Sequence, residues 1–333
     1  VKVLHVVRSD GFSGVERHIT TLAAAQARAG DEVTVIGGAV GPMRRALGDD
    51  GIGVLSGDSL RGVAASIRRA TRPDIVHAHM TAGELAVCLS TTAPLVVTRH
   101  FARPRGATPV GRLAGILIRR RTGAQIAVSQ YVAQRIERRA TVVYPGVPAS
   151  DGSRAVRRPV VLVVQRLQPE KNTDIALRAF ALAAPAEWTL EVVGRGPELS
   201  SLRGLAEQLG VQDRVSFLGF RDDVPALMQS ASVFLAPCEI EGLGLSVLEA
   251  MAQGLPVVAS RAGAHPETVG MAPSAHLFDP GAPEQAAKML ARLCGDVQLR
   301  GRYGDELAKV QQTSFTPHAQ AEATRVVYQQ VLA

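Results

Sequence analysis

Two pairs of charged residues stand at spacings that could do chemistry. In the run Gln165-Arg166-Leu167-Gln168-Pro169-Glu170-Lys171-Asn172, Arg166 and Lys171 form a clustered basic pair. Arg offers a flat fork to a phosphate and Lys a compact point charge. Together they would neutralise the charge that develops on a departing diphosphate. Further on, Cys238-Glu239-Ile240-Glu241-Gly242-Leu243-Gly244-Leu245 leads from an apolar run into a helix-period segment carrying Glu249. Free amides at a helix start, helped by the helix dipole, suit an anion, and Gly242 and Gly244 let the backbone approach it closely. A carboxylate accepts two hydrogen bonds, so Glu241 in the loop suits sugar hydroxyls and Glu249 a ribose diol. A third loop, from Asp10-Gly11-Phe12-Ser13-Gly14 to His18, opens another helix. Taken singly, each feature has an ordinary reading: surface acids on a strand-loop-helix, a solvated basic loop or a Lys171–Glu170 ion pair, a glycine turn. The third loop is not G-x-G-x-x-G and no acid follows at the dinucleotide-binding spacing, so a nicotinamide cofactor is disfavoured. No Asp-x-Asp ends a strand and no metal-ligand constellation is legible, so metal-independent chemistry is expected, with no cofactor.

Alternating elements must position these residues. Strands are predicted at 3–7, 32–36, 75–79, 95–98, 125–128 and 142–144, then at 160–164, 189–193, 215–218, 233–236, 256–259 and 276–278. Helices are predicted at 15–28, 61–70, 110–121, 173–183, 198–209, 245–252, 283–293, 297–311 and 315–333. Short, fully apolar strands separated by helices mean parallel sheets covered on both faces. The fold class is α/β, with two doubly wound, Rossmann-like domains whose sheets face one another across a cleft. Residues 1–150 form the first domain and 151–314 the second, and 315–333 is a last helix. The turn-rich stretch 145–159 is the boundary. Ligands bind beyond the carboxyl ends of strands in open α/β sheets, which is where Arg166, Lys171 and Glu241 fall.

The chain has 333 residues, 46% of them apolar and 20% charged, enough for roughly two domains. That composition excludes a disordered chain, a collagen and a disulfide-stapled mini-protein. No apolar run is long enough for a membrane-spanning helix. The strand-like start at Val1 leaves no signal-peptide layout. Cys88, Cys238 and Cys294 are odd in number and far apart, which implies a reducing, cytoplasmic setting without disulfides. Charge separates the halves: residues 1–150 hold 20 Lys/Arg and 10 Asp/Glu, the remainder 17 and 20. Between 85 and 136 there is no acid, while Arg99, Arg103, Arg105, Arg112, Arg119, Arg120, Arg121 and Arg135 fall there. No nucleic-acid motif accompanies this charge, and aromatics are only 4%, so an anionic substrate or membrane face fits better. Segment 110–121 reads either as a face for anionic lipid or, preferentially, as a helix with a buried side and a wet Arg end. His77 and His79, ending a buried-type strand, read first as structural. Arg17 and His18 read as a solvated helix face.

In order and spacing these segments resemble the retaining GT-B glycosyltransferases of family 4. Arg166 and Lys171 match the family's R-x4-K. Glu241 and Glu249 match its E-x7-E, within Glu-Gly-Leu-Gly and Glu-Ala-Met-Ala-x-Gly-x-Pro-Val-Val-Ala. Gly263-Ala264-His265-Pro266-Glu267 and Asp74-Ile75-Val76-His77-Ala78-His79 are similar to further family segments. The resemblance implies that Arg166 and Lys171 bind the donor diphosphate. It implies that Glu241 contacts the transferred sugar beside Leu243, Gly244 and Leu245, and that Glu249 holds the ribose. Ser13 and Gly14 would approach the diphosphate from the first domain, and His100 would be the histidine near the donor sugar. The base would sit at Gly194, Arg195 and Phe220, and the last helix would cross back to the first domain.

Three departures accompany the likeness: Ser13 stands where a glycine is usual, Leu243 replaces Phe, and the first half is short. The implied reaction moves a sugar, with retention, from a nucleoside-diphosphate sugar (uridine by the family's habit) to a hydroxyl acceptor. That acceptor is anionic, lipid-linked or uncharged, and a peripheral contact with the inner face of an anionic membrane fits the basic first half. The competing readings are an epimerase or hydrolase of nucleotide sugars on the same fold, and a non-catalytic binder.

Overall fold

The computed structural model describes residues 1–48, 50–105, 109–136, 139–150, 156–183 and 185–333, with 109, 110 and 112 described by backbone alone. The chain divides into two compact units. The first comprises Val1–Gly146 with Thr316–Ala333, the second Val147–Phe315. The division falls within the turn-rich stretch 145–159, a few residues before position 150, and the centre of that stretch, 151–155, lies outside the described residues.

Unit 1 contains β1 (Lys2–Val7), β2 (Glu32–Ile36), β3 (Gly53–Leu55), β4 (Ile75–His79), β5 (Leu95–Arg99), β6 (Ala124–Ala127) and β7 (Thr141–Val142). Its helices are α1 (Gly14–Arg28), α2 (Val40–Leu47), α3 (Leu60–Arg69), α4 (Met80–Ser90), α5 (Pro109–Arg121) and α6 (Gln130–Ala133). Helix α13 (Pro317–Leu332) completes the unit after the chain has built unit 2. The sheet order is β3-β2-β1-β4-β5-β6-β7, all parallel. Four elements of this unit, α2, β3, α4 and α6, are not among the sequence expectations. Strand β3 is a three-residue edge strand beginning at a glycine, too short to show a period. Helix α4 follows β4 without a breaker. The turn is made by Met80, whose φ of +64° lies in the left-handed region, a conformation seldom taken by residues other than Gly, Asn and Asp.

Alternation along the strands sends their two faces to different partners. Leu4, Val6, Val76, Ala78 and Val97 pack with Val63, Ile67, Ala86 and Val87 of α3 and α4. On the other face Val3, Ile75 and Val96 pack with Val327 and Tyr328 of α13, while Val7 packs with Ile19 and Ala23 of α1. On that second face β1 reads Val3-His5-Val7 and β4 reads Ile75-His77-His79. Imidazoles therefore occupy core positions toward the carboxyl ends of both strands.

Unit 2 contains β8 (Val160–Val164), β9 (Thr189–Val193), β10 (Val215–Gly219), β11 (Val233–Ala236), β12 (Val257–Ser260) and β13 (His276–Phe278). They lie in the order β10-β9-β8-β11-β12-β13, again parallel. Helices α7 (Thr173–Ala183), α8 (Leu199–Gln208), α9 (Val224–Ser230), α10 (Leu245–Ala252), α11 (Pro283–Gly295) and α12 (Val297–Ser314) intervene. In both sheets the order reverses beside the first strand, at β1/β4 and at β8/β11. Loops leaving adjacent strands diverge at such a point and leave a crevice.

Among the described residues no helix is long and apolar enough to cross a membrane. Helix α5 has a buried side at Gly115 and Ile118 and a wet arginine end, and it also exposes aliphatic side chains. Leu113 is 71% exposed, Ile116 and Leu117 are exposed as well, and Ile118 is fully buried. Its short amphipathic pattern puts three aliphatic side chains in water beside exposed Arg119 and Arg120; the side chain of Arg112 lies outside the described residues. The three cysteines are free thiols.

Candidate active site

In unit 2 the functional side chains arise at the β8/β11 switch. Beyond β8 the chain makes a short 3-10 turn, Pro169–Lys171, closed by Asn172 at φ +52°. Gln165 pins this turn: its side-chain amide donates to the Lys171 carbonyl at 2.9 Å and to Thr173 Oγ1 at 2.8 Å. Asn172 Nδ2 donates to Glu239 Oε1 at 3.0 Å, tying the turn to the loop after β11.

The turn delivers the Lys171 ammonium to Glu241, with Nζ donating to Oε2 at 2.6 Å. Partner choice is thus Glu241, seventy positions away, and not the neighbouring Glu170. Burial works against both charges. The Lys171 ammonium nonetheless outweighs it at Glu241 and holds the carboxyl below its usual range, while Glu241 holds Lys171 above the usual ammonium range. Arg166 is exposed beside them, and no hydrogen bond or ion pair engages its guanidinium among the described residues. Cys238 Sγ faces the Glu170 carbonyl at 3.5 Å. Burial, then the Glu241 charge, pushes its thiol up to about 11, which leaves it a protonated, inert neighbour.

The glycine loop feeds α10. Gly244 takes φ +88° as its N-cap. A Cβ there would be strained in this left-handed conformation and would come within 3.3 Å of Glu241 Cγ and the Val247 side chain. The amides of the first helical turn have no acceptor within the helix. Leu243 is buried, and Leu245 and Glu249 share a helix face one turn apart, both half-buried. The loop after β12 braces this segment. Ala264 N–H donates to the Glu241 carbonyl at 3.0 Å, and buried His265 donates from Nδ1 to the Ser260 carbonyl at 3.0 Å.

Arg195 and Phe220 follow β9 and β10. Gly194 lets these loops approach β8, since a Cβ there would sit 1.8 Å from the Gln165 carbonyl oxygen. The Arg195 guanidinium lies 5.9 Å from the centre of the Phe220 ring, and that ring is 61% exposed. The pair forms an open cationic and aromatic shelf at the strand ends.

Unit 1 carries the other predicted residues. Ser13 caps α1 in extended conformation (φ −137°), so this position makes no demand for glycine. The Glu16 carboxylate accepts from the Ser13 N–H at 2.8 Å and from its hydroxyl at 2.7 Å. Gly14 begins the helix and is exposed. His100 follows β5 and is half-buried. It meets a cluster that the local pattern did not reveal, made of His5, His18, His77 and His79.

The register explains the gathering: His5 pairs with His77, and His79 lies between Val7 and Thr98. His18 is buried, not solvated, because α1 lies against α13. Its Nε2 faces the Gln320 amide at 3.4 Å, and its Nδ1 is a buried atom without a hydrogen-bond partner among the described residues. Desolvation lowers all five imidazoles, His5 and His100 to about 4. Two triads, His5/His77/His79 and His18/His79/His100, have their nitrogens within 4.8 Å of one another, a metal-like spacing that sequence reading missed. Yet most of these nitrogens already face one another or Gln26, Tyr328 and Thr98 at hydrogen-bond distance.

Residues 151–310 match the family described as Glycosyl transferases group 1, and residues 12–151 match Glycosyltransferase Family 4. Over 150 residues the chain is 37% identical to the GDP-mannose-dependent alpha-(1-6)-phosphatidylinositol monomannoside mannosyltransferase of Mycobacterium tuberculosis, which covers 42% of this chain and 39% of that protein. It is 29% identical over 232 residues to the lipopolysaccharide core biosynthesis mannosyltransferase LpcC of Rhizobium leguminosarum, covering 64% and 66%. The first of these matches thus spans only about two fifths of its relative's length. HepE of Anabaena, solved in complex with UDP and glucose, superposes with a TM-score of 0.80 at 22% identity, covering 98% of this chain and 99% of that one. Sucrose-phosphate synthase of Thermosynechococcus elongatus gives 0.77 at 17% identity, covering 99% of each. Both structures share the two-sheet fold. With family matches running from residue 12 to residue 310, the chain belongs to the family 4, group 1 glycosyltransferases.

Proposed function

We propose that this chain transfers a sugar, with retention of configuration, from a nucleoside-diphosphate sugar to a hydroxyl acceptor. One observation carries the reading: the 2.6 Å Lys171–Glu241 pair at a sheet switch point, beside an exposed Arg166 and a glycine-capped helix start. Arg166, Lys171 and the first amides of α10 hold the diphosphate. Glu241 takes hydroxyls of the transferred sugar, Glu249 the ribose, and the Arg195–Phe220 shelf the base. As the bond to the leaving phosphate oxygen stretches, these cationic groups stabilise the charge that collects there. The acceptor hydroxyl attacks from the same face and passes its proton to the departing phosphate oxygen, so no protein nucleophile is needed. For Gly14 and His100 of unit 1 we keep the donor-binding roles that the family resemblance implies.

HepE is solved with UDP, whereas the mycobacterial relative is GDP-mannose-dependent; we take uridine diphosphate as the nucleotide. The exposed aliphatic and arginine side chains of α5 support an anionic, lipid-borne acceptor.

The test is a thermal-shift panel of nucleoside diphosphates and their sugars, because a ligand that binds only the folded chain raises its melting temperature. UDP and a UDP-sugar should stabilise the wild type, and Arg166→Ala should lose most of that shift. A larger shift with GDP overturns the choice of base. Donor turnover untouched by Arg166→Ala overturns the site, and donor consumed at full rate without acceptor replaces transfer by hydrolysis or epimerisation.

A further inference from the structure

We infer that His79, His5 and Gln26 are positioning residues that decide which nitrogen of His100 carries its proton, and that Tyr328 of the C-terminal helix anchors the chain they form. The functional meaning of this inference rests on the reading of His100 as a donor-site residue. The proton arrangement itself does not.

A neutral imidazole has one N–H and one lone pair, and its hydrogen-bond partners choose which nitrogen is which. The chain begins at α13. The Tyr328 hydroxyl oxygen lies 3.2 Å from Gln26 Nε2 and 2.7 Å from His77 Nδ1. An amide nitrogen only donates, so the phenol oxygen accepts from Gln26 and gives its own proton to His77 Nδ1. His77 then carries its proton on Nε2 and donates to Thr98 Oγ1 at 2.6 Å. With its nitrogen committed to Tyr328, Gln26 turns Oε1 toward His5 Nε2 at 2.7 Å. That oxygen only accepts, so His5 is protonated on Nε2 and offers a lone pair at Nδ1.

The rest follows link by link. His5 Nδ1 accepts from His79 Nε2 at 3.1 Å, and His79 Nδ1 accepts from His100 Nε2 at 3.1 Å. His100 is left with its proton turned inward and its Nδ1 lone pair free to accept a hydrogen bond. The chain has a single direction, set by one side-chain amide: with Gln26 turned over, every proton would sit on the opposite nitrogen and His100 would present a donor. Burial keeps the imidazoles neutral, which such a chain requires.

The test uses the full-length protein labelled with 15N-histidine, whose eight histidines give a tractable long-range 1H–15N spectrum. His5, His79 and His100 should all show the Nε2–H form in the wild type. Gln26→Met removes both amide contacts, and Tyr328→Phe removes only the hydroxyl while keeping the ring in the core. Either should shift His100 toward mixed tautomers and lower kcat on the order of tenfold, with the donor KM little changed.

A wild-type His100 protonated on Nδ1, or a tautomer indifferent to both variants, overturns the inference. So does a stoichiometric metal ion bound by the cluster in the purified protein. A shifted tautomer with unchanged kcat supports the chain and instead overturns the donor-site reading of His100.

Discussion

Lowering the pH from about 7.5 to about 5.5 should destabilise unit 1. His5 and His100 have folded pKa values of about 4 against an ordinary 6.5, because burial disfavours the imidazolium. Between those values the unfolded chain binds more protons than the folded one, so stability rises with pH and is lost as pH falls through 6.5 toward 4. For one such group the linkage costs almost nothing at the upper pH and on the order of 1 kcal/mol at the lower. The two together therefore withdraw on the order of 2–3 kcal/mol, and His18, His77 and His79 act in the same direction.

Against a domain stability of roughly 5–15 kcal/mol this is a large share. It corresponds to a fall of roughly 5–10 °C in melting temperature for a unit of this size. Calorimetry across the pH series measures it, with fluorescence of Trp188, the single tryptophan, following unit 2 separately. Unit 2 has only His265 and His276 among its depressed histidines, so its transition should move less. A unit 1 transition that moves by less than roughly 2 °C would refute the neutral-cluster reasoning.

Other outcomes are as direct. Lys171→Met strands the Glu241 carboxylate, and at this partly exposed site should cost about 2 kcal/mol of stability; Lys171→Met with Glu241→Gln should recover most of it in urea titrations. Arg166→Ala leaves that pair intact, so it should hardly change stability while lowering kcat/KM about 100-fold or more in a donor-turnover assay. Gly244→Ala puts a side chain at φ +88°, so it should cost about 1–2 kcal/mol and weaken nucleotide binding, both readable in one thermal-shift experiment. Leu113→Asp should abolish flotation with anionic liposomes and leave nucleotide binding unchanged; flotation that persists would dismiss α5 as the lipid contact.

Local pattern alone determined the alternating elements, the two parallel sheets, and the strand ends on which Arg166, Lys171 and Glu241 stand. Those follow from short apolar runs, helix periodicity and turn residues, all set within a few positions of the chain. The edge strand β3 and the helix α4 escaped because neither has a length or a boundary that a period can show.

Strand order and register were decided only in three dimensions. They place β8 beside β11, so that Lys171 reaches Glu241 across seventy positions, and β1 beside β4, so that His5 meets His77 and His79. Tyr328 lies 251 positions from His77, yet their side chains share a hydrogen bond. Contacts between such distant segments depend on how whole faces pack and on which buried polar atoms can find partners. No window of sequence carries that information, because the energy belongs to the pairing and not to either strand alone.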